Sequence, residues 1–457
     1  MSASPERSFN RKPVLCGKVK NWLSNPPFGG LLLLFYLAVI VRFALAALTT
    51  GTSDVSIWTI HVISIEDQGL IEYYKSSLGS IIRFNHPPLT GEFMRCLYLL
   101  SQHFDIEFGV FYRTLFGLSD FWTAFLLFQI FKEDTRRIIY PIVYLLCPLT
   151  FLMSSYHGNT DSLIGLFALW SLLCVSQRRY AIAGLLLGIG VSVKWIILLL
   201  FPAFMFAIPG SRNKLSFGIG CVAAIGLGYG WWFVLAPQAI LDGVFMYRGN
   251  IFYTSSGQPI WGNQVFLRPF LSFCGLQSET VNDILNVIFR LNNLIIGASV
   301  LSYSWLRRRF GEARQIGMSI AVAFSLFYGL TNYWAFQYLA WAIPFYVFLP
   351  RILNVLVLTL TSVYIYFLYS YLCGSMLLFR RWDFIGHGQW PTVLLMLRNA
   401  CILLFIWVAV YCFIRACVPG MSKTQGDVSS RLGDGNAVGS RSDKSEIEGT
   451  SERGEKD

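Results

Sequence analysis

Charged residues are scarce in this chain: Asp, Glu, Lys and Arg make up 13% of 457 residues, against 55% hydrophobic and 16% aromatic. That shortage excludes a soluble globular enzyme, whose surface calls for about 25% charge. Disorder over most of the length is excluded too, because there is ample apolar surface to bury. The five histidines show no H-x-x-x-H spacing and the ten cysteines form no C-x-x-C pair, so neither a zinc site nor a disulfide scaffold is framed. Matching broken segments in two halves, the mark of a transporter repeat, are missing. The formal charge is +11, and Gly420 to Asp457 holds six basic and eight acidic residues, leaving about +13 elsewhere. In a multispan protein that excess records orientation, and no nucleic-acid partner is implied.

What is present is apolar length. A spanning helix needs about 20 apolar residues. Such runs lie near 31 to 49, 113 to 131, 138 to 154, 161 to 176, 215 to 235, 283 to 304, 315 to 331, 335 to 349, 352 to 372 and 395 to 415. Ala181 to Ile208, interrupted by Lys194 and flanked by Arg178/Arg179 and Arg212/Lys214, reads as a hairpin that enters and leaves on the cytoplasmic side. Counting it twice gives an all-α polytopic membrane protein of about 12 transmembrane or re-entrant helices, with both termini and the clusters Lys132/Arg136/Arg137 and Arg307 to Arg309 inside.

The expected organisation is a cytoplasmic segment 1–30, a membrane domain 31–418 and a disordered cytoplasmic tail 419–457. The opposite face receives a long first loop, 50–112, and shorter ones around 156 to 161, 237 to 282 and 379 to 391. Phe93, Leu97, Leu100 and Phe104 recur at helical spacing, which predicts an amphipathic surface helix over Gly91 to Phe104. Gly184-x-x-x-Gly188 and Gly218-x-Gly220 lie inside apolar spans with no preceding strand, which points to close helix packing and not to a dinucleotide loop.

Ionisable groups are costly near hydrocarbon, and those at helix ends gather on the non-cytoplasmic side. Asp54 follows the first span directly and is the candidate general base; an Asp there also suits a helix cap. Asn85-His86-Pro87-Pro88-Leu89 holds a polar pair where two prolines bar a helix until Leu89. These features resemble the GT-C superfamily of integral-membrane glycosyltransferases, in which an acidic residue after the first helix precedes a Pro-Pro-Leu segment. His157-Gly158-Asn159-Thr160-Asp161 is similar to the Arg-Gly-Asn-Ala-Asp turn of the glycosylphosphatidylinositol mannosyltransferase I branch, with His in place of Arg; Asp161 would equally cap the helix it opens. Gln337-Tyr338-Leu339-Ala340-Trp341 is similar to a Gln-Tyr-Leu-x-Trp pattern of several branches, including the glycosyltransferase 87-like enzymes.

The resemblance implies an inverting, lipid-phosphate-sugar-dependent glycosyltransferase of the bacterial inner membrane or the endoplasmic reticulum. Its site faces the periplasm or lumen, and mannose is the favoured sugar. Asp54 takes the catalytic position. Lys194, His157 and Arg248 are expected at the donor phosphate; Lys194 also suits snorkelling to the interface. Asn85, His86, Asn159, Asp161, Tyr247, Trp261, Gln337 and Tyr338 are expected around substrate, although interfacial belting accounts equally for such Trp and Tyr residues. The expected partners are a polyprenyl-phosphate sugar, an acceptor glycan, glycolipid or protein, and the bilayer. No cofactor is required; a divalent ion at Asp54 and Asp161 has no further support in the sequence. The rivals are a transporter or lipid-linked-sugar flippase, and a noncatalytic assembly subunit that keeps the fold.

Overall fold

The computed structural model describes residues 26–80, 82–247, 260–308, 312–383 and 389–418. The expected tail 419–457, most of the segment 1–30, Arg248 and His387 lie outside the described residues. The chain divides into two compact units, Met1–Cys412 and Phe413–Asp457, and the functional residues all belong to the first.

Among the described residues every regular element is helical. Six helices are long and apolar enough to cross a membrane: Gly30–Leu48, Ser211–Leu235, Ser278–Leu306, Ala313–Leu330, Arg351–Leu372 and Thr392–Cys417. A seventh span results if Ile139–Leu146 and Pro148–His157, bent by 53° at Cys147, are counted as one. Pro148 cannot donate its nitrogen to a continuing helix, and this accounts for the break. Leu227 (78% exposed) and Val234 (75%) show the apolar outer surface that bilayer solvent requires. The protein is thus an all-α, multi-pass membrane protein.

The expected count of twelve included 335 to 349 as a span, and here the structure differs. That run is a 3-10 turn, Phe336–Trp341, followed by the short helix Ile343–Tyr346. Its aromatic side chains are buried inside the protein, including Phe336, Trp341, Phe345 and Tyr346. Hydropathy registers burial in protein and burial in lipid alike, so this inner segment mimics a span.

The expected spans at 161 to 176 and in the two hairpin arms are apolar helices shorter than the six spans, and Phe108–Ile130, which carries Arg113 and Asp120, is not among the six either. Pro88–His103 is a helix, with Pro88 at its first turn where a missing N–H is harmless. The hairpin breaks at Lys194, in extended conformation between Tyr180–Val193 and the 3-10 turn Trp195–Leu200. Gly184 and Gly188 let Tyr180–Val193 lie against Ser211–Leu235 backbone to backbone: a Cβ at either would stand 1.9 Å from the Phe217 carbonyl oxygen or 2.4 Å from that of Cys221.

One ion pair is sealed in the helix core. Arg42 Nε lies 2.8 Å from Asp120 Oδ2, with side chains 2% and 1% exposed. Ser154 (2.7 Å) and the Tyr144 hydroxyl (3.1 Å) donate to the same carboxylate, and Arg42 Nη1 donates to the Ala38 and Leu145 carbonyls. This network fastens Pro26–Leu48 to Phe108–Ile130 and to the bent pair.

Candidate active site

Two loops are pinned together to make the site. Arg113, itself buried, donates to the carbonyls of Ala46 (2.7 Å) and Thr49 (2.8 Å) at the end of the first span, where a cation also suits the helix dipole. Beyond it Gly51 takes a left-handed φ of 70°, and Gly158 in the facing loop one of 73°. Added Cβ atoms would come within 2.9 Å of the Tyr156 carbonyl oxygen and of the Tyr112 hydroxyl, respectively. Glycine is therefore required at both for conformation and for space. Thr52 donates to the His157 carbonyl (2.8 Å) and Tyr112 to that of Gly158 (3.0 Å), closing the two loops on each other.

The helix Ser53–Gln68 is capped by Thr52, whose hydroxyl accepts from the Asp54 backbone N–H at 3.3 Å. The Asp54 carboxylate is consequently not the cap. Its Oδ2 receives three side-chain donors: Asn159 Nδ2 at 2.5 Å, His157 Nε2 at 3.2 Å and Gln337 Nε2 at 3.3 Å. His157 Nδ1 lies 2.6 Å from the Tyr369 hydroxyl, so the ring is held at both nitrogens. Oδ1 has no such donor among the described residues, and the Asp54 side chain is 21% exposed. Burial pushes this carboxyl up, but the His157 charge, the bonds from His157 and Asn159 and the Lys194 charge outweigh it and hold it below its ordinary value.

A second pair lies beside the first. Lys194 Nζ is 2.8 Å from Asp161 Oδ1, and Trp341 Nε1 donates to the same oxygen. Asp161 Oδ2 is buried without a partner among the described residues. Asp161 therefore serves the lysine and not a helix cap. The ammonium stands over the rings of Tyr338 (4.7 Å) and Trp341 (5.3 Å), a cation–π seat. The turn Phe336–Trp341 joins the two pairs: Gln337 reaches Asp54, Tyr338 underlies Lys194, and Trp341 binds Asp161.

His86 forms a wall of this site. Its ring lies 4.4 Å from Trp58, near enough to Lys194 and Asp54 for both charges to act on it, and burial holds it well below the usual histidine range. It is a neutral ring. Asn85 is half-buried beside it. Thr90 donates to the carbonyls of Ser192 and Val193, tying this segment to the residue before Lys194. Tyr247 lies in electrostatic range of Tyr338. Trp261 is placed differently: it stacks on Trp334 at 3.8 Å, donates to the Tyr328 carbonyl at 2.8 Å and is 2% exposed, so its ring is a packing element.

The structure thus brings Asp54, His157, Asn159 and Gln337 together, and Asp161, Lys194 and Tyr338 next to them. Sequence reasoning missed Thr52, Arg113, Tyr369 and the Asp161 bond to Trp341. Arg113 carries a readable signal, a charge within an apolar run. Tyr369 carries none, being one of many tyrosines on its helix. Among the described residues no three His, Cys, Asp or Glu side chains cluster as metal ligands.

Comparison with known proteins bears on the half of the chain that holds most of these residues. The sequence model of a family described as GPI transamidase subunit PIG-U matches residues 31–236. GPI mannosyltransferase 1 of Saccharomyces cerevisiae is 24% identical over 166 residues, which is 33% of this chain and 40% of the yeast protein. The chain therefore matches well under half the length of that relative.

Proposed function

We propose that the protein is a GT-C-type glycosyltransferase that moves a monosaccharide, mannose by preference, from a polyprenyl-phosphate carrier to an acceptor on the non-cytoplasmic face. The supporting observation is the convergence on Asp54: three neutral or cationic donors fix one oxygen and leave the other for a proton, with a lysine close by. Asp54 Oδ1 accepts the acceptor hydroxyl's proton as that oxygen attacks the anomeric carbon. The anomeric C–O bond to phosphate breaks, the lipid phosphate departs with the electron pair, and the configuration inverts. Lys194 offers the charge that steadies the leaving phosphate. His157, whose ring faces Asp54, orients the base. Arg248 is a further candidate for the phosphate. His86, Asn85, Tyr247 and Tyr338 line the substrate space.

Both relatives' names refer to GPI, which favours the endoplasmic reticulum membrane, a lumenal site and a glycosylphosphatidylinositol-type glycolipid as acceptor. The family match to a transamidase subunit supports a second reading, a noncatalytic assembly subunit that keeps the scaffold. Purified protein given polyprenyl-phosphate mannose and such a glycolipid separates the two. Transfer by the wild type, lost in Asp54→Asn, sustains the enzyme reading. Absence of transfer by a folded wild type, together with co-purification of a transamidase, sustains the subunit reading. Transfer from a nucleotide sugar alone would overturn the lipid donor.

A further inference from the structure

An apolar groove of about 820 Å³ runs between the bent pair and the Arg351–Leu372 helix. Ile142, Val143, Leu146, Val355 and Leu358 supply aliphatic walls, and Val355 is 57% exposed, so the groove opens sideways where lipid chains would lie. One end carries Arg136, Arg314 and Arg351, all exposed. None of their guanidinium groups lies within 4.0 Å of a carboxylate oxygen among the described residues. Asp134 is the carboxylate whose charge is felt by two of them, and it is already held by the Arg136 backbone N–H (2.8 Å) and the Tyr140 hydroxyl (2.9 Å). Three cations thus face one engaged carboxylate. Asn354 lines the same end with a buried, unpartnered Oδ1 among the described residues.

A hydrocarbon trough ending in uncompensated cations has the shape and charge of an anionic amphiphile. Free phosphate has no use for the aliphatic walls, and a choline headgroup would set a cation among cations. Arg351 opens the helix whose Tyr369, 18 residues on and about 27 Å away along the axis, holds His157 at the Asp54 site. The arginine end of the groove is therefore distinct from that site. We propose that it binds an anionic phospholipid from the bilayer, the phosphate seated among Arg136, Arg314 and Arg351 and an acyl chain along Val143, Val355 and Leu358.

The test uses the full chain in nanodiscs of mixed phosphatidylcholine and phosphatidylserine, extracted into mild detergent and weighed by native mass spectrometry. We expect phosphatidylserine to be retained about tenfold over phosphatidylcholine, and that preference to vanish in Arg136→Ala/Arg314→Ala/Arg351→Ala. The corresponding triple lysine variant should keep part of it. Thr359→Trp, which fills the trough and leaves the arginines intact, should also lose the lipid, and carries the test where the alanine variant does not fold. Equal retention of both lipids by the wild type, or undiminished phosphatidylserine on folded Thr359→Trp, would overturn the proposal. Displacement of the lipid by inorganic phosphate alone would reduce the site to a simple anion seat and overturn it as well.

Discussion

Two carboxylates in this protein are surrounded by nearly the same chemistry and differ in access. Asp120 meets a cation, a serine and a tyrosine in a sealed core, 1% exposed. Asp54 meets a histidine, an asparagine and a glutamine, and stays 21% exposed with one oxygen clear of donors. A fully enclosed carboxylate can only hold helices together; a half-enclosed one can also exchange a proton. The difference lies in the neighbours. Asp120 sits within the 23-residue helix Phe108–Ile130, packed on all sides, whereas Asp54 sits in the first turn of a helix that begins at a loop junction.

The sharpest way to break that comparison is to neutralise each carboxylate in turn. Asp54→Asn should reduce sugar transfer by at least about 100-fold, because the proton acceptor is gone, with membrane expression and thermal stability close to wild type. Transfer within a few-fold of wild type would remove Asp54 from the chemistry. In the sealed pair, Arg42→Met should instead cost about 3–5 kcal/mol of stability by leaving Asp120 buried and uncompensated. A melting curve in detergent reads this directly, and Arg42→Met/Asp120→Leu should recover most of it. If the single variant melts like wild type, the pair is not what fastens the first span.

Lys194→Ala tests the neighbouring open pair. Loss of one charge-assisted contact of about 1.5–3 kcal/mol predicts a roughly 10- to 100-fold fall in kcat/KM for the lipid-phosphate donor. A normal KM for the glycolipid acceptor should accompany it. Full activity would assign Lys194 to Asp161 alone.

The smallest effect is on pH. Burial raises the Asp54 carboxyl, but His157, Asn159 and Lys194 together lower it by more, so the base is ionised at any pH above the usual carboxylate range of about 4. The acid limb of the rate profile should lie below that range. His157→Gln keeps a donor and removes the imidazole that helps to hold the Asp54 carboxyl down. The folded-state pKa rises, and activity should be lost at higher pH as the solution is acidified. An acid limb that stays in place would show that His157 does not tune Asp54.

Much of the scaffold was legible in the sequence because its signals are local. Pro87-Pro88 marks the start of the helix Pro88–His103, Lys194 marks the break in the hairpin, and Gly184-x-x-x-Gly188 marks a close helix crossing. Each depends on residues a turn or two apart. The segment 335 to 349 misled because apolarity does not tell lipid from protein interior. At the site, Asp54, His157, Asn159 and Lys194 could be singled out as polar groups at helix ends, yet their partnerships could not. Asp54 and Gln337 are 283 positions apart, and Asp161 and Trp341 are 180.

The sequence by itself therefore determined the solvent this protein folds in, most of its spans and the polar residues that must be explained, since composition and periodicity act over a few turns. Only the tertiary structure decided that His157 serves Asp54, that Asp161 serves Lys194 and that Trp261 is packing. Hydrogen-bond partners are chosen by distance and direction in space, and in a buried site every donor takes whichever acceptor the packing of distant helices brings within reach.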